Sequence, residues 1–426
     1  MKILHIIAQL PSKTGSGVYF SNLIKELNKN NENYAIYGHQ DCIEYDFDII
    51  ADENKFPIHF NNGKLGFHIV GMSDVMPYNS TCYKDMTPKM LNTWLNNFKV
   101  QILNAYNEIK PDIIICHHLW ILTSLTLDLL RDRCDKIVGI CHGTDIRQAL
   151  QNPRLKNRYV KNLNRLDKVF ALSENQVPEI VSTYNIDEDK IYVSGGGYNQ
   201  DYFYKDEKLR YDENNQFINV VYAGKIANAK GVFELIDAYK QLNYGKNIIL
   251  NIIGTPQGEN INRIHEKLKG TENIKLFNAK NQKSLAHLFR YSSIFVLPSY
   301  YEGLGLVAIE ALASGMYIVS TKLDALMEVL GDDVNNSKAI EYVDLPRLKN
   351  VDTPYEKDIP EFINRLAKAI DLQVQRVKNK ERISDEVLNS VAKHSWKNIA
   401  NEIFDEITRE NYGELNEYGK LNLENA

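Results

Sequence analysis

Short apolar runs alternate with stretches of helical periodicity along most of the chain. In the first half, apolar runs at 3–7, 113–116, 137–141 and 168–171 read as strands, and residues 19–27 and 90–109 as amphipathic helices. The rhythm restarts with strand-like runs at 218–222, 248–253, 294–297 and 317–320, separated by helical patterns at 232–242, 285–291 and 308–312. Such alternation predicts parallel sheets covered by helices, in an α/β protein of two domains. The polar stretch YKDEKLRYDENNQ at 204–216 is too charged for a core and is the expected boundary, giving domains 1–205 and 206–394. A final amphipathic pattern, about 395–412, predicts a C-terminal helix. Residues 54–87 and 350–359 fit the rhythm poorly and read as long loops.

Composition narrows the class. With 426 residues, 44% hydrophobic and 25% charged, the chain can bury two cores. A net charge of −5 with interspersed signs argues against a nucleic-acid partner and makes any anion site local, while a basic patch could still serve peripheral membrane contact. The opening MKILHIIAQLP is too short for a signal peptide or a span, so a cytoplasmic location is expected, with the inner membrane face as its extension. Five cysteines without a C-x-x-C are expected to be reduced core residues. A zinc site would need His117, His118 and His142 to join them, and that spacing fits no common ligand pattern.

The candidate chemistry centres on SSIFVLPSYYEGLGLVAIEALASGMYIVS, residues 292–320. A buried strand ends at Pro298, a glycine turn follows, and a helix runs to a stop at Gly315. Backbone N–H groups of Gly303, Leu304, Gly305 and Leu306 are then placed to bind a phosphate or a sugar oxygen. Glu302 and Glu310 would repel phosphate, so their natural partners are neutral hydroxyls, which a nucleotide sugar supplies on ribose and hexose. Three further elements follow strands: Thr14-Gly15-Ser16-Gly17, Gly224-Lys225 with Lys230-Gly231, and His142-Gly143-Thr144-Asp145. The first lacks the third glycine of a dinucleotide fingerprint.

The E-x7-E pattern with its flanking Pro298, Ser299, Gly303, Gly305, Ala311 and Gly315 resembles the signature of family 4 retaining glycosyltransferases. The resemblance implies a GT-B fold: two Rossmann-like parallel-sheet domains facing a cleft, with the C-terminal helix crossing back to the first. It implies transfer of a sugar from a nucleoside diphosphate sugar, a UDP-sugar being expected, to a hydroxyl acceptor (a glycan, lipid-linked or protein-linked glycan) in cell-surface glycan synthesis. Lys225 and Lys230 would take the diphosphate, Glu310 the ribose, and Glu302 with the 303–306 backbone the donor sugar. His142 would orient that sugar, Asp145 or Thr144 would cap the next helix, and Gly15 and Gly17 would keep side chains clear of donor and acceptor. No cofactor or metal is implied. The chain departs from the pattern at Lys225, where arginine is usual, at Gly196 and Asn199, and at Leu323 to Glu328. A nucleotide-sugar epimerase of the same fold and a catalytically silent partner subunit remain as alternatives.

Overall fold

The computed structural model describes residues 1–74, 76–210, 217–302, 304–350 and 352–409. The chain divides into two compact units, residues 1–194 with the chain from Ala400, and residues 195–399. In chain order the strands are β1 (Lys2–Ile6), β2 (Glu32–His39), β3 (Lys55–His59), β4 (Val70–Gly71), β5 (Thr81–Cys82), β6 (Ile113–His117), β7 (Lys136–Ile140), β8 (Val169–Ala171), β9 (Ile191–Val193), β10 (Ile218–Ala223), β11 (Ile248–Ile253), β12 (Ile274–Phe277), β13 (Ile294–Leu297), β14 (Tyr317–Thr321) and β15 (Ile340–Val343).

The first unit is built on a seven-stranded parallel sheet of order β3-β2-β1-β6-β7-β8-β9. The second has six parallel strands, β12-β11-β10-β13-β14-β15. Both orders reverse direction once, between β1 and β6 and between β10 and β13. Loops leaving the carboxyl ends of those strands part there and open a crevice, the usual ligand position in open α/β sheets. Central strands are apolar throughout because helices cover both faces: IFVL of β13 and IIICH of β6 are wholly buried.

The central strands match the sequence reading, whereas β2 and all four edge strands, β3, β9, β12 and β15, escaped it. The edge strands are short and half-buried, so no continuous apolar run marks them, and Pro57 inside β3 is tolerated because an edge strand need not donate on both sides. Residues 54–87 are therefore not one long loop: they hold β3 and the small parallel pair β4 and β5. In the region of residues 350–359, the Lys349 N–H donates to the Thr353 carbonyl at 2.7 Å, and residue 351 lies outside the described residues.

The division at 194/195 falls earlier than the expected 205/206, and residues 211–216 of the polar stretch lie outside the described residues. The reason is apolar. Tyr198 and Phe203 are buried in the second core, the Phe203 ring lying 5.7 Å from that of Phe289 at a tilt of 54°. A Cβ on Gly197 would lie 2.7 Å from the Trp396 ring, and one on Gly196 2.9 Å from Leu304 Cδ1, so this glycine run is a close approach. The C-terminal helix is Trp396–Thr408; residues 410–412 of the expected span lie outside the described residues. Within the first unit, Lys168 Nζ meets Glu406 Oε1 at 2.7 Å. The five cysteines are free thiols, but Cys42 is exposed and Cys82 half-buried, because both sit on loops or edge pairs rather than in central strands. Leu323 to Glu328, a departure from the family pattern, enters the helix Asp324–Asn335, which kinks at Gly331. Among the described residues no helix is long and apolar enough to cross a membrane.

Because Phe203 fixes the start of the second unit, Phe203→Ala is expected to cost about 3–5 kcal/mol in urea unfolding. A change under about 1 kcal/mol would show that the segment is not held by this side chain.

Candidate active site

In the second unit the site grows from the two strands at the reversal of strand order. After β10 the chain passes Gly224 and exposed Lys225, makes a turn at Asn228–Lys230, and enters the helix Val232–Gln241 through Gly231. Gly231 has φ +61°, and a Cβ there would stand 2.0 Å from the Pro298 carbonyl oxygen. No other residue type meets both conditions. The Tyr300 N–H donates to the Ala229 carbonyl at 3.0 Å, so the loop after β10 is sewn to the loop after β13.

That seam brings two predicted residues together. Lys230 Nζ lies 2.8 Å from Glu302 Oε1 and donates to the Tyr301 carbonyl at 3.3 Å, while Ser299 Oγ donates to the same Oε1 at 2.7 Å. Both charged side chains keep about a quarter or a fifth of their surface in water (26% and 20%). The pair therefore adds at most about 1 kcal/mol to stability. Its value is positional: a cation and a carboxylate stand fixed at the mouth of the crevice. Lys225, expected beside Lys230, is exposed and has no carboxylate within ion-pair distance among the described residues; only its carbonyl is held, by the Tyr222 hydroxyl at 2.7 Å. Burial, with Glu302 nearby, pushes that phenol up, so it stays protonated.

The glycine turn leads into the helix Leu306–Ala313, with Gly305 as its cap at φ +67°. No side chain caps this end, so the first-turn N–H groups of Leu306 and Val307 have no side-chain acceptor, while the Ala308 N–H donates to the Gly305 carbonyl at 2.8 Å. Gly303 lies outside the described residues. Leu304 and Leu306 lie against the α-carbon of Gly196. Glu310, one turn into the helix, is buried (7% exposed) and accepts from Gln282 Nε2 at 3.0 Å. Burial pushes its carboxyl up to about 7 against the opposing Gln282 bond. Gln282 went unnoticed in the sequence because it belongs to a separate helix, Gln282–Arg290, whose Asn281 capping box gives no hint of ligand chemistry.

The first unit presents its own cluster, again beside the strand reversal. Thr14 caps the helix Gly15–Leu27 by accepting from the Gly17 N–H at 3.0 Å, and Ser16 Oγ donates to Gln9 Oε1 at 3.0 Å. A Cβ on Gly15 would face open space. One on Gly17 would not: it would lie 2.7 Å from the Leu10 and Ser12 carbonyl oxygens, so this glycine packs its own loop.

His117 ends β6 and its Nδ1 sits 3.2 Å from Nε2 of His142, the two rings within 13° of parallel. Tyr19, which the sequence reading missed, stands edge-on to His142 at 5.2 Å, and His118 is 4.7 Å away. Burial, then the neighbouring imidazole, holds His142 well below 6.5, burial does the same for His117, and burial lowers His118 to about 4 against the pull of Asp145. His142 is thus a neutral imidazole that gives one hydrogen bond and accepts another.

Asp145 does not cap the following helix, whose cap is Gly143, and Thr144 Oγ1 has no hydrogen-bond partner among the described residues. The buried Asp145 carboxylate accepts instead from the Leu119 N–H (2.7 Å), the His142 N–H (3.3 Å) and the Ile146 N–H (3.2 Å). It clamps the loops after β6 and β7 to each other, which fixes the backbone carrying both histidines.

Residues 14–202 match the family model Glycosyltransferase Family 4, and residues 203–341 match Glycosyl transferases group 1. The chain belongs to the group 1, family 4 glycosyltransferases. An uncharacterized glycosyltransferase of Methanocaldococcus jannaschii is 26% identical to this family member over 53% of the chain and 61% of its own length. The capsular polysaccharide biosynthesis glycosyltransferase CapM of Staphylococcus aureus is 28% identical over 38% of the chain and 45% of its length. The chain thus spans about half the length of the curated relatives it matches. Among solved structures, Anabaena Alr3699/HepE in complex with UDP superposes with a TM-score of 0.63 at 15% identity, covering 96% of this chain and 99% of that one. The fold of this glycosyltransferase-family chain is therefore GT-B.

Glu310 gives the site a pH signature. Its folded value near 7 lies above the 4.5 of a free carboxyl, so the folded state holds a proton that the unfolded chain has released, and stability falls as pH rises from 4.5 to 7. The full penalty above that window is about 3 kcal/mol. Glu310→Gln is expected to melt higher than the parent above pH 7 and to lose that advantage below pH 4.5. A melting difference constant with pH would contradict the assignment.

Proposed function

We propose that the chain is a retaining, metal-independent hexosyltransferase that moves a sugar from a UDP-sugar to a hydroxyl acceptor. The reading rests on the Lys230–Glu302 pair, fixed 2.8 Å apart at the strand reversal beside an uncapped helix start. An incoming diphosphate takes Lys230 and the first-turn N–H groups. Glu302, released from its lysine, accepts from donor-sugar hydroxyls, Glu310 accepts from ribose hydroxyls, and neutral His142 contacts the sugar. As the bond from the anomeric carbon to phosphate breaks, negative charge grows on the diphosphate, where a fixed cation and helix dipole lower the barrier. The acceptor oxygen bonds to the anomeric carbon on the same face and its proton passes to the departing phosphate oxygen. Lys225, a point charge at the exposed lip, adds to the field without a bidentate grip. The UDP complex of the Anabaena structural neighbour and the capsule role in the name of the S. aureus relative support the choice of donor and of cell-surface glycan synthesis.

Lys230→Ala is expected to lower kcat about 10²-fold or more, the scale of losing one preorganised charge at a developing anion, with the fold retained by circular dichroism. Unchanged turnover would remove the site. UDP, tested by thermal shift against GDP, ADP and CMP, is expected to give the largest stabilisation, about 2.7 kcal/mol at a hundredfold excess over its dissociation constant. No shift with any nucleotide favours a silent partner, and sugar interconversion without an acceptor favours an epimerase.

An observation in the first unit supports a lipid-linked acceptor at the inner membrane face. Residues 146–166 carry six cations, Arg147, Arg154, Lys156, Arg158, Lys161 and Arg165, and no acid, in a chain of net charge −5. Leu150 among them is 71% exposed. Each cation near an anionic bilayer contributes about 1 kcal/mol. Co-sedimentation with phosphatidylglycerol vesicles, weakening with salt and absent with phosphatidylcholine, is the expected result; equal recovery with both would refute the membrane contact.

A further inference from the structure

The edge of the first sheet carries a cluster unconnected with sugar transfer. Strands β2 and β3 run parallel, and their register pairs His39 with His59 at the carboxyl ends of both. The rings stand 4.8 Å apart. Asp41, two residues beyond His39, places Oδ1 2.8 Å from His39 Nε2 and 3.7 Å from His59 Nδ1, so one carboxylate oxygen faces both imidazoles. The three ligand atoms lie within 4.8 Å of one another. In a tetrahedral zinc site, with metal–ligand bonds of about 2.0–2.2 Å, ligand atoms are about 3.3 Å apart, a value the two observed separations bracket. The second nitrogen of His39, Nδ1, meets the Tyr45 hydroxyl. With the ring proton on Nδ1, that contact would be the outer-shell bond of a ligating imidazole and would leave the Nε2 lone pair for a metal.

We propose that His39, Asp41 and His59 form a binding site for a divalent transition metal of the zinc class. Asp41 and His59 are exposed enough to admit an ion and leave its fourth position to water. On binding, the neutral His39 carries its single proton on Nδ1, donated to the Tyr45 oxygen, and gives the Nε2 lone pair to the metal in place of the Asp41 contact. The ion ties the segment after β2 to the end of the edge strand. That segment, through Gln40, Cys42, Ile43 and Glu44, walls a cavity of about 510 Å³ whose other sides include Lys13 and Tyr78. The site is a clip that sets this wall.

The test uses the full chain, stripped with a chelator and titrated with Zn²⁺ by calorimetry and with Co²⁺ by visible absorption. One equivalent is expected, with a four-coordinate cobalt spectrum lacking a thiolate band. Asp41→Asn and His59→Ala, both at exposed side chains, are each expected to weaken binding at least tenfold. Cys42→Ser is expected to leave it unchanged, and Zn²⁺ to slow hydrogen exchange over residues 40–45 in the parent and in Cys42→Ser but not in the Asp41→Asn, His59→Ala double variant. Absence of stoichiometric binding, its survival in the Asp41→Asn, His59→Ala double variant, or its loss in Cys42→Ser would overturn the site. Unchanged exchange at 40–45 would overturn its role as a clip.

Discussion

The contact between the α-carbon of Gly231 and the carbonyl of Pro298 is the constraint on which the donor-side geometry depends. Adjacent parallel strands deliver two loops to the same end of a sheet, but adjacency alone leaves those loops free to splay. Here the loop after β10 lies so close to the loop after β13 that a single methyl group would intrude to 2.0 Å. The backbone bond from Tyr300 to Ala229 completes the seam. Lys230 and Glu302 are then next-door consequences of the seam, each one residue or two from its contacts, and their 2.8 Å pairing needs little energy of its own.

Desolvation governs the electrostatics of both units, with opposite sign for acids and bases. In the first, buried imidazoles crowd one another and lose their protons, so His117, His118 and His142 are neutral hydrogen-bonding groups. In the second, the apolar helix around Glu310 raises a carboxyl to the edge of neutrality. Ligand hydroxyls donating to that carboxylate would stabilise its charged form, so binding and ionisation are coupled there. The positive charges of Lys225 and Lys230, by contrast, stay at positions open to water.

The edge of the first sheet illustrates how register creates chemistry. His39 and His59 are far apart in sequence and belong to strands with no strong apolar signature, yet parallel pairing sets them side by side. The same edge carries the segment that borders the 510 Å³ cavity, so a metal there would act on that wall.

Much was legible in the sequence where local patterning and burial coincide. The central strands read as continuous apolar runs because helices cover them on both faces, and glycine turns with Glu302, Glu310 and Lys230 follow strand ends because ligand loops occur there. The chain's hydrophobic pattern and glycine spacing thus determined the fold class, the two-sheet organisation and the position of the glycine turns at strand ends. Tertiary structure alone decided what depends on contacts between distant segments. It paired Lys230 with Glu302, gave Glu310 to Gln282, turned Asp145 from an expected cap into a clamp between two loops, and moved the division of the chain to 194/195 through the burial of Phe203. Edge strands and side-chain partners leave no local period, because their stability comes from neighbours that the linear sequence does not place beside them.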